Sequence, residues 1–151
     1  MPAIKLQTKI NAPIERVFDL SRDIDLHKLS TKKTKEEAIA GKTTGLINLG
    51  ESVTWRAKHF GVWLKHTSKI TEFDKPNYFV DEMTKGAFKS FRHEHRFQQM
   101  ESVTLMTDIL EFESPLGFMG RLFNKLLLTE YLRKFIMERN AVIKLKAEQP
   151  L

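Results

Sequence analysis

Two histidines separated by one residue, His93 and His95, stand in the run FRHEHRF, flanked by Phe91 and Phe97. With the period of two of a β-strand, Phe91, His93, His95 and Phe97 share one face, and Arg92, Glu94 and Arg96 share the other. Imidazoles on the side of the phenylalanines are placed for proton transfer or polar recognition inside an apolar pocket. The next run, TLMTDILEFE, alternates in the same way and reads as the second strand of a hairpin. A turn centred on Met100 and Glu101 sets His93 opposite Asp108 and His95 opposite Met106. An unpaired polar group on an apolar face is costly, so a hydrogen-bonded pair of His93 and Asp108 is expected. His93, His95 and Asp108 are therefore the candidate acid–base group, with Asp108 fixing an imidazole tautomer. The alternative is a satisfied polar network with no chemistry.

Other residues extend this candidate site. His66 falls on one side of a strand with Leu64, Ser68 and Ile70, and Trp55 alternates inward with Val53 and Ala57. Arg139 lies three or four residues from Phe135, Ile136, Val142 and Ile143 on a helical stretch, so its stem runs along the apolar face. Its guanidinium either binds an acidic ligand group or Asp108, or it snorkels to water. Phe91, Phe97 and Met106 complete the expected wall. No metal site is expected, because His-x-His with His66 as a conceivable third ligand forms no closed motif. No cofactor is expected either. The sequence has no Gly-rich phosphate loop, no Gly-x-Ser-x-Gly, no His-Glu-x-x-His and no cysteine nucleophile.

The elements that position these residues follow from the same periodicities. Ile4, Leu6, Thr8 and Ile10 alternate with polar residues as a first strand. Asn11 is the expected cap of a short helix carrying Ile14, Val17 and Phe18, and Ser21 or Asp23 that of a second, Ile24 to Leu29. Ser30 to Gly50 holds a weak strand among loops and is the expected mobile segment. Strands then follow one another without helical crossovers, which implies an antiparallel meander. From about Gly117 the spacing becomes helical, with Leu122, Leu126, Leu132, Phe135, Ile136, Val142 and Ile143 on one face.

The chain of 151 residues fits one domain, 1–151, with enough length to bury a sizeable core. Its 25 Lys and Arg against 19 Asp and Glu give a net charge of +6, suited to a solvated basic surface or to an anionic partner. A nucleic-acid partner is not expected, because the rings and the arginines of FRHEHRF lie on opposite sides of their strand. The absence of cysteine suits a cytoplasmic protein. MPAIKLQTKINAP lacks the pattern of a signal peptide, and no apolar run reaches membrane-spanning length.

The element order, together with NAPIERVFDLSRDIDLHKL, resembles the helix-grip fold of the START, polyketide cyclase and birch-pollen-allergen superfamily. GAFKSFRHEH, Phe97, TLMTD, Phe112, PLG and Arg139 are similar to a bacterial subgroup often labelled cyclase/dehydrase-like or cell-division-related. The resemblance implies an α+β fold: a curved seven-stranded antiparallel sheet around a long C-terminal helix, with two short helices after the first strand and a pocket between sheet and helix. It also implies a hydrophobic or amphipathic ligand such as a lipid, polyketide or isoprenoid. An alternative is a cyclase or dehydratase using His93 or His95 with Asp108, and a further one is a protein-interaction module. Aromatics that fill the gap and leave a solid core would remove the pocket.

Overall fold

A computed structural model of the chain describes residues 3–114 and 127–150. Strand β1 (Ala3–Ile10) leads into helices α1 (Ile14–Ser21) and α2 (Ile24–Ser30). Six strands follow: β2 (Glu37–Gly41), β3 (Ser52–His59), β4 (Val62–Asp74), β5 (Tyr78–Lys85), β6 (Ser90–Met100) and β7 (Val103–Glu113). Helix α3 (Thr129–Glu148) closes the order. The seven strands form one sheet in the order β1-β7-β6-β5-β4-β3-β2, every neighbouring pair antiparallel. This is the expected helix-grip architecture. The expected helix start near Gly117, Leu122, Leu126 and the PLG motif lie outside the described residues. No helix among the described residues is long and apolar enough to cross a membrane.

Alternation sets the inner face. Along β7, Thr104, Met106, Asp108, Leu110 and Phe112 are buried while the residues between them are half-exposed. The β6–β7 turn is centred on Glu101 and Ser102, not on Met100 and Glu101, and Glu101 takes a left-handed φ of 59°. The Gln99 amide ties this turn by donating to the carbonyls of Glu101 and Val103. Moving the turn by one residue shifts the pairing by two. His95 therefore faces Asp108, Phe97 faces Met106 and His93 faces Leu110, correcting the expected register of both histidines, while the expected His93–Asp108 hydrogen bond forms on the diagonal. A shift of two preserves the parity of the strand, so each side chain keeps its face.

The helices are docked by polar contacts at their ends. Asn11 does not cap α1. Pro13 occupies the cap position, and the Ile14 N–H donates instead to Gln99 Oε1 at 2.8 Å. Asp23 does cap α2, accepting from the N–H groups of Asp25 and Leu26. Arg16 on α1 donates to the Lys146 and Ala147 carbonyls, satisfying the last turn of α3. Beneath α1 the interior is solid: the Phe18 ring meets Phe73, Phe79 and Phe97 edge-on at 5.3 to 5.4 Å. Away from that plug, a second apolar cluster joins Ile4, Leu110 and Phe112 of the sheet to Leu132 and Ile136 of α3.

Candidate functional site

A cavity of about 410 Å³ opens between the sheet, α2 and α3. Its wall is mostly apolar, with Val53, Trp55 and Ile70 from β3 and β4, Phe91 and Leu110 from β6 and β7, and Leu132, Phe135 and Ile136 from α3. A volume of this order suits a small organic molecule. All five histidines of the sequence line it, together with Glu36, Asp81 and Arg139.

The first polar cluster sits on the central strands. His93 Nε2 is 2.8 Å from Asp108 Oδ1, and His95 Nε2 is 2.7 Å from Asp81 Oδ2. The His93 and His95 rings stack at 3.8 Å, and His95 stacks in turn on Phe79 at 4.2 Å. Asp108 is fixed from behind. Its Oδ2 accepts from Asn140 Nδ2 at 2.7 Å, and its Oδ1 lies 3.5 Å from the Arg139 guanidinium. Arg139 also donates to Asn140 Oδ1 and to the Ser21 carbonyl, both at 3.0 Å. Of the two expected fates of Arg139, the snorkelling one does not occur: the side chain is buried and its head reaches Asp108.

These contacts fix charge states. Burial alone would raise the Asp108 carboxyl, but His93, His95 and the Arg139 charge together hold it well below the usual carboxylate range. Burial likewise opposes ionisation of Asp81, yet the bond from His95 and the charges of His95, His93 and His66 bring it down to about 2. His93 moves the other way. Burial, then repulsion from His95, depress it below the ordinary histidine value despite the pull of both aspartates. Because Asp108 is a carboxylate, the Nε2 of a neutral His93 must carry the proton it donates. Its Nδ1 is then a bare lone pair.

A second polar cluster faces the same cavity. His27 on α2 meets Glu36 at 2.5 Å and lies against the Trp55 ring at 4.4 Å. His59, at the end of β3, meets the Tyr131 hydroxyl on α3 at 2.5 Å. Burial pushes Glu36 up, but His27, His59 and Thr31 outweigh it and leave the carboxyl below its usual value. His66, edge-on to Phe91 at 5.0 Å, is depressed by burial and feels both Asp81 and Glu36.

The chain's resemblances concern its fold. No family model and no curated protein matches it. Solved structures do match along nearly its whole length. A protein of Thermus thermophilus is 20% identical, with 98% of this chain and 100% of that one covered and a TM-score of 0.79. The major latex-like protein 151 of Panax ginseng is 17% identical, with 98% of both chains covered and a TM-score of 0.72. A protein of Chromobacterium violaceum is 10% identical over 98% of both chains, with a TM-score of 0.74. The chain shares the helix-grip fold of these solved structures.

Within this helix-grip frame, Trp55, His66, Phe91, His93, His95 and Arg139 line the cavity. Phe97 and Met106 do not. Their partners lie in the solid interior around Phe18, because the sheet face they share with the histidines is covered there by α1. Asp108 is buried behind the histidines and is absent from the wall, which leaves it as a group that orients others. Sequence reasoning missed Asp81, Glu36, His27, His59 and Tyr131. For Asp81 a signal existed: in YFVDEMTK it shares the parity of Phe79, the inward aromatic of β5. Glu36 precedes β2 in a segment with no clear period, so nothing marked its direction.

Proposed function

We propose that the protein binds a hydrophobic or amphipathic small molecule in the cavity between sheet and α3, with the His93–His95–Asp81 wall reading a polar group on it. The observation that carries this reading is the cavity of about 410 Å³, apolar over most of its wall and edged by hydrogen-bonding side chains. Lipid, polyketide and isoprenoid-like molecules have that mixed character. Burying such a ligand gains roughly 25 cal/mol per Å² of apolar area removed from water. Native mass spectrometry of protein purified from its source organism, followed by denaturing extraction, tests the reading. One extracted ligand per chain is expected. Empty protein that also takes up no member of a broad lipid and aromatic library would overturn it.

A cyclase or dehydratase reading is favoured by one feature, the hydrogen-bonded Asp81 and His95 on the cavity wall beside a neutral His93. There His93 or His95 moves a proton at the ligand while Asp108 only holds the tautomer, since it does not reach the wall. Chemical change of the extracted ligand on incubation would select turnover, and recovery unchanged would select carriage. A cytoplasmic setting is part of the same proposal.

A further inference from the structure

We propose that Asp81, His93 and His95 form an open-faced site for one divalent first-row transition-metal ion on the cavity wall, with Asp108 behind them as the carboxylate that orients both imidazoles. One ligand atom from each of the three residues lies within 4.8 Å of the other two. Two imidazoles and a carboxylate suit Zn²⁺ and its neighbours in the first row better than Mg²⁺ or Ca²⁺, which prefer all-oxygen shells. Three protein ligands beside a cavity leave a coordination position for a ligand or water, the arrangement of a reactive rather than a purely structural site. The sequence showed His-x-His without a secure third ligand. Folding supplies it as Asp81, which faces His93 across the β5–β6 ladder.

Two features of the cluster fit a bound cation. His95 Nδ1 is buried with no hydrogen-bond partner, although Asp108 Oδ1 lies only 3.5 Å away. While the His95 Nε2–H is spent on Asp81, a neutral ring turns a bare nitrogen toward the Asp108 carboxylate. A metal ion between His95 Nε2 and Asp81 displaces that proton, and the ring then carries its proton on Nδ1, aimed at Asp108. Carboxylate, imidazole and metal then form the usual outer-shell chain. Asp108 already accepts from His93 Nε2, which leaves His93 Nδ1 as its donor atom. The second feature is charge. With both imidazoles neutral, the carboxylates of Asp81 and Asp108 stand against the guanidinium of Arg139 in the cluster. A metal cation offsets the excess. A tetrahedral Zn²⁺ with Zn–N of about 2.0–2.1 Å sets ligand atoms roughly 3.3 Å apart, so His95 Nε2 and Asp81 Oδ2, now 2.7 Å apart, open slightly while the wider separations, up to 4.8 Å, close.

Metal binding needs no organic ligand, and the two readings fail separately. Protein stripped with a chelator is titrated with Zn²⁺ by calorimetry and with Co²⁺ by visible absorption, and the stripped protein is tested for uptake of an apolar fluorophore. We expect one ion per chain, a Zn²⁺-dependent rise in Tm, and shifts of the His93 and His95 ring nitrogens in ¹⁵N NMR while those of His27 and His59 stay in place. Asp81→Asn should weaken Zn²⁺ binding by more than about 100-fold, and Asp108→Asn by about 10–100-fold. If either variant does not fold, the ring-nitrogen shifts of the unaltered protein decide. Absence of binding at submillimolar Zn²⁺, or binding that shifts His27 and is lost in Glu36→Gln but not in Asp81→Asn, overturns the proposal. Fluorophore uptake by metal-free protein in either case leaves the ligand-binding reading standing.

Discussion

The two polar clusters of the cavity use the same residue types and differ in what holds them. His93 and His95 stand on β6, between β5 and β7 near the middle of the sheet, and their carboxylates come from those neighbouring strands. Asp108 is gripped in turn by Arg139 and Asn140 of α3, and Arg139 by the Ser21 carbonyl at the end of α1. His27–Glu36 and His59–Tyr131 are two separate pairs. Each joins an element at the margin of the sheet to a helix, and His27 keeps about a quarter of its side chain in contact with solvent. The central cluster is therefore a connected network whose parts lose several partners together, whereas at the margin Glu36 holds His27 and Thr31, and the Tyr131 hydroxyl holds His59. Fixed geometry is what chemistry or metal binding needs. Separable contacts between sheet and helices are what a ligand entrance needs.

The difference is sharpest under truncation. Asp108→Ala strips a charged acceptor from His93, Asn140 and Arg139 at once and should cost about 3–5 kcal/mol in urea unfolding. Glu36→Ala frees a partly solvated His27 and should cost about 1–2 kcal/mol. Equal losses would erase the distinction between network and pair.

Acid should weaken both clusters. His93 and His66 have folded-state values depressed by burial, so the unfolded chain takes up protons first as the pH falls. The stability they contribute is complete above about pH 6.5 and is lost below it, at no more than about 1.4 kcal/mol per pH unit for each group. His93→Gln should flatten the decline between pH 6.5 and 5. Asp81, brought down to about 2, adds a later loss between its ordinary value of 3.8 and about 2. A stability curve that is level from pH 7 to 5 would contradict the neutral, buried His93.

The smallest effect is expected at the margin. Tyr131→Phe removes the hydroxyl that meets His59 and leaves the ring in place, costing about 0.5–1.5 kcal/mol. A loss as large as that of Asp108→Ala would place His59–Tyr131 in a network of its own.

Much of this was legible in the residue pattern. Alternation and turn residues marked the strands, with β2 expected only as a weak strand within Ser30 to Gly50, and the turn error left the inward faces unchanged because pairing moved by two. The fate of Phe97 and Met106 was not legible, since parity says which face a side chain takes but not whether α1 or a cavity covers that face. Arg139 had two readings that the local helix pattern cannot separate. Only packing α3 against β7 brings Asp108 within reach of its head. The second cluster was hidden for a similar reason: His27, Glu36, His59 and Tyr131 are scattered over α2, a loop, β3 and α3, and meet only when the sheet curves around the helix.

The central claim, an open ligand cavity instead of a filled core, is tested most directly by titrating an apolar fluorophore into Ala57→Leu beside the unaltered protein. Ala57 is buried on β3 and its side chain lines the cavity. With open space in front of it, the added methyl groups should leave stability unchanged while weakening fluorophore binding by at least about tenfold. In a close-packed interior the same change is overpacking and costs about 1–3 kcal/mol. That loss, with no fluorophore binding by either protein, would contradict the account.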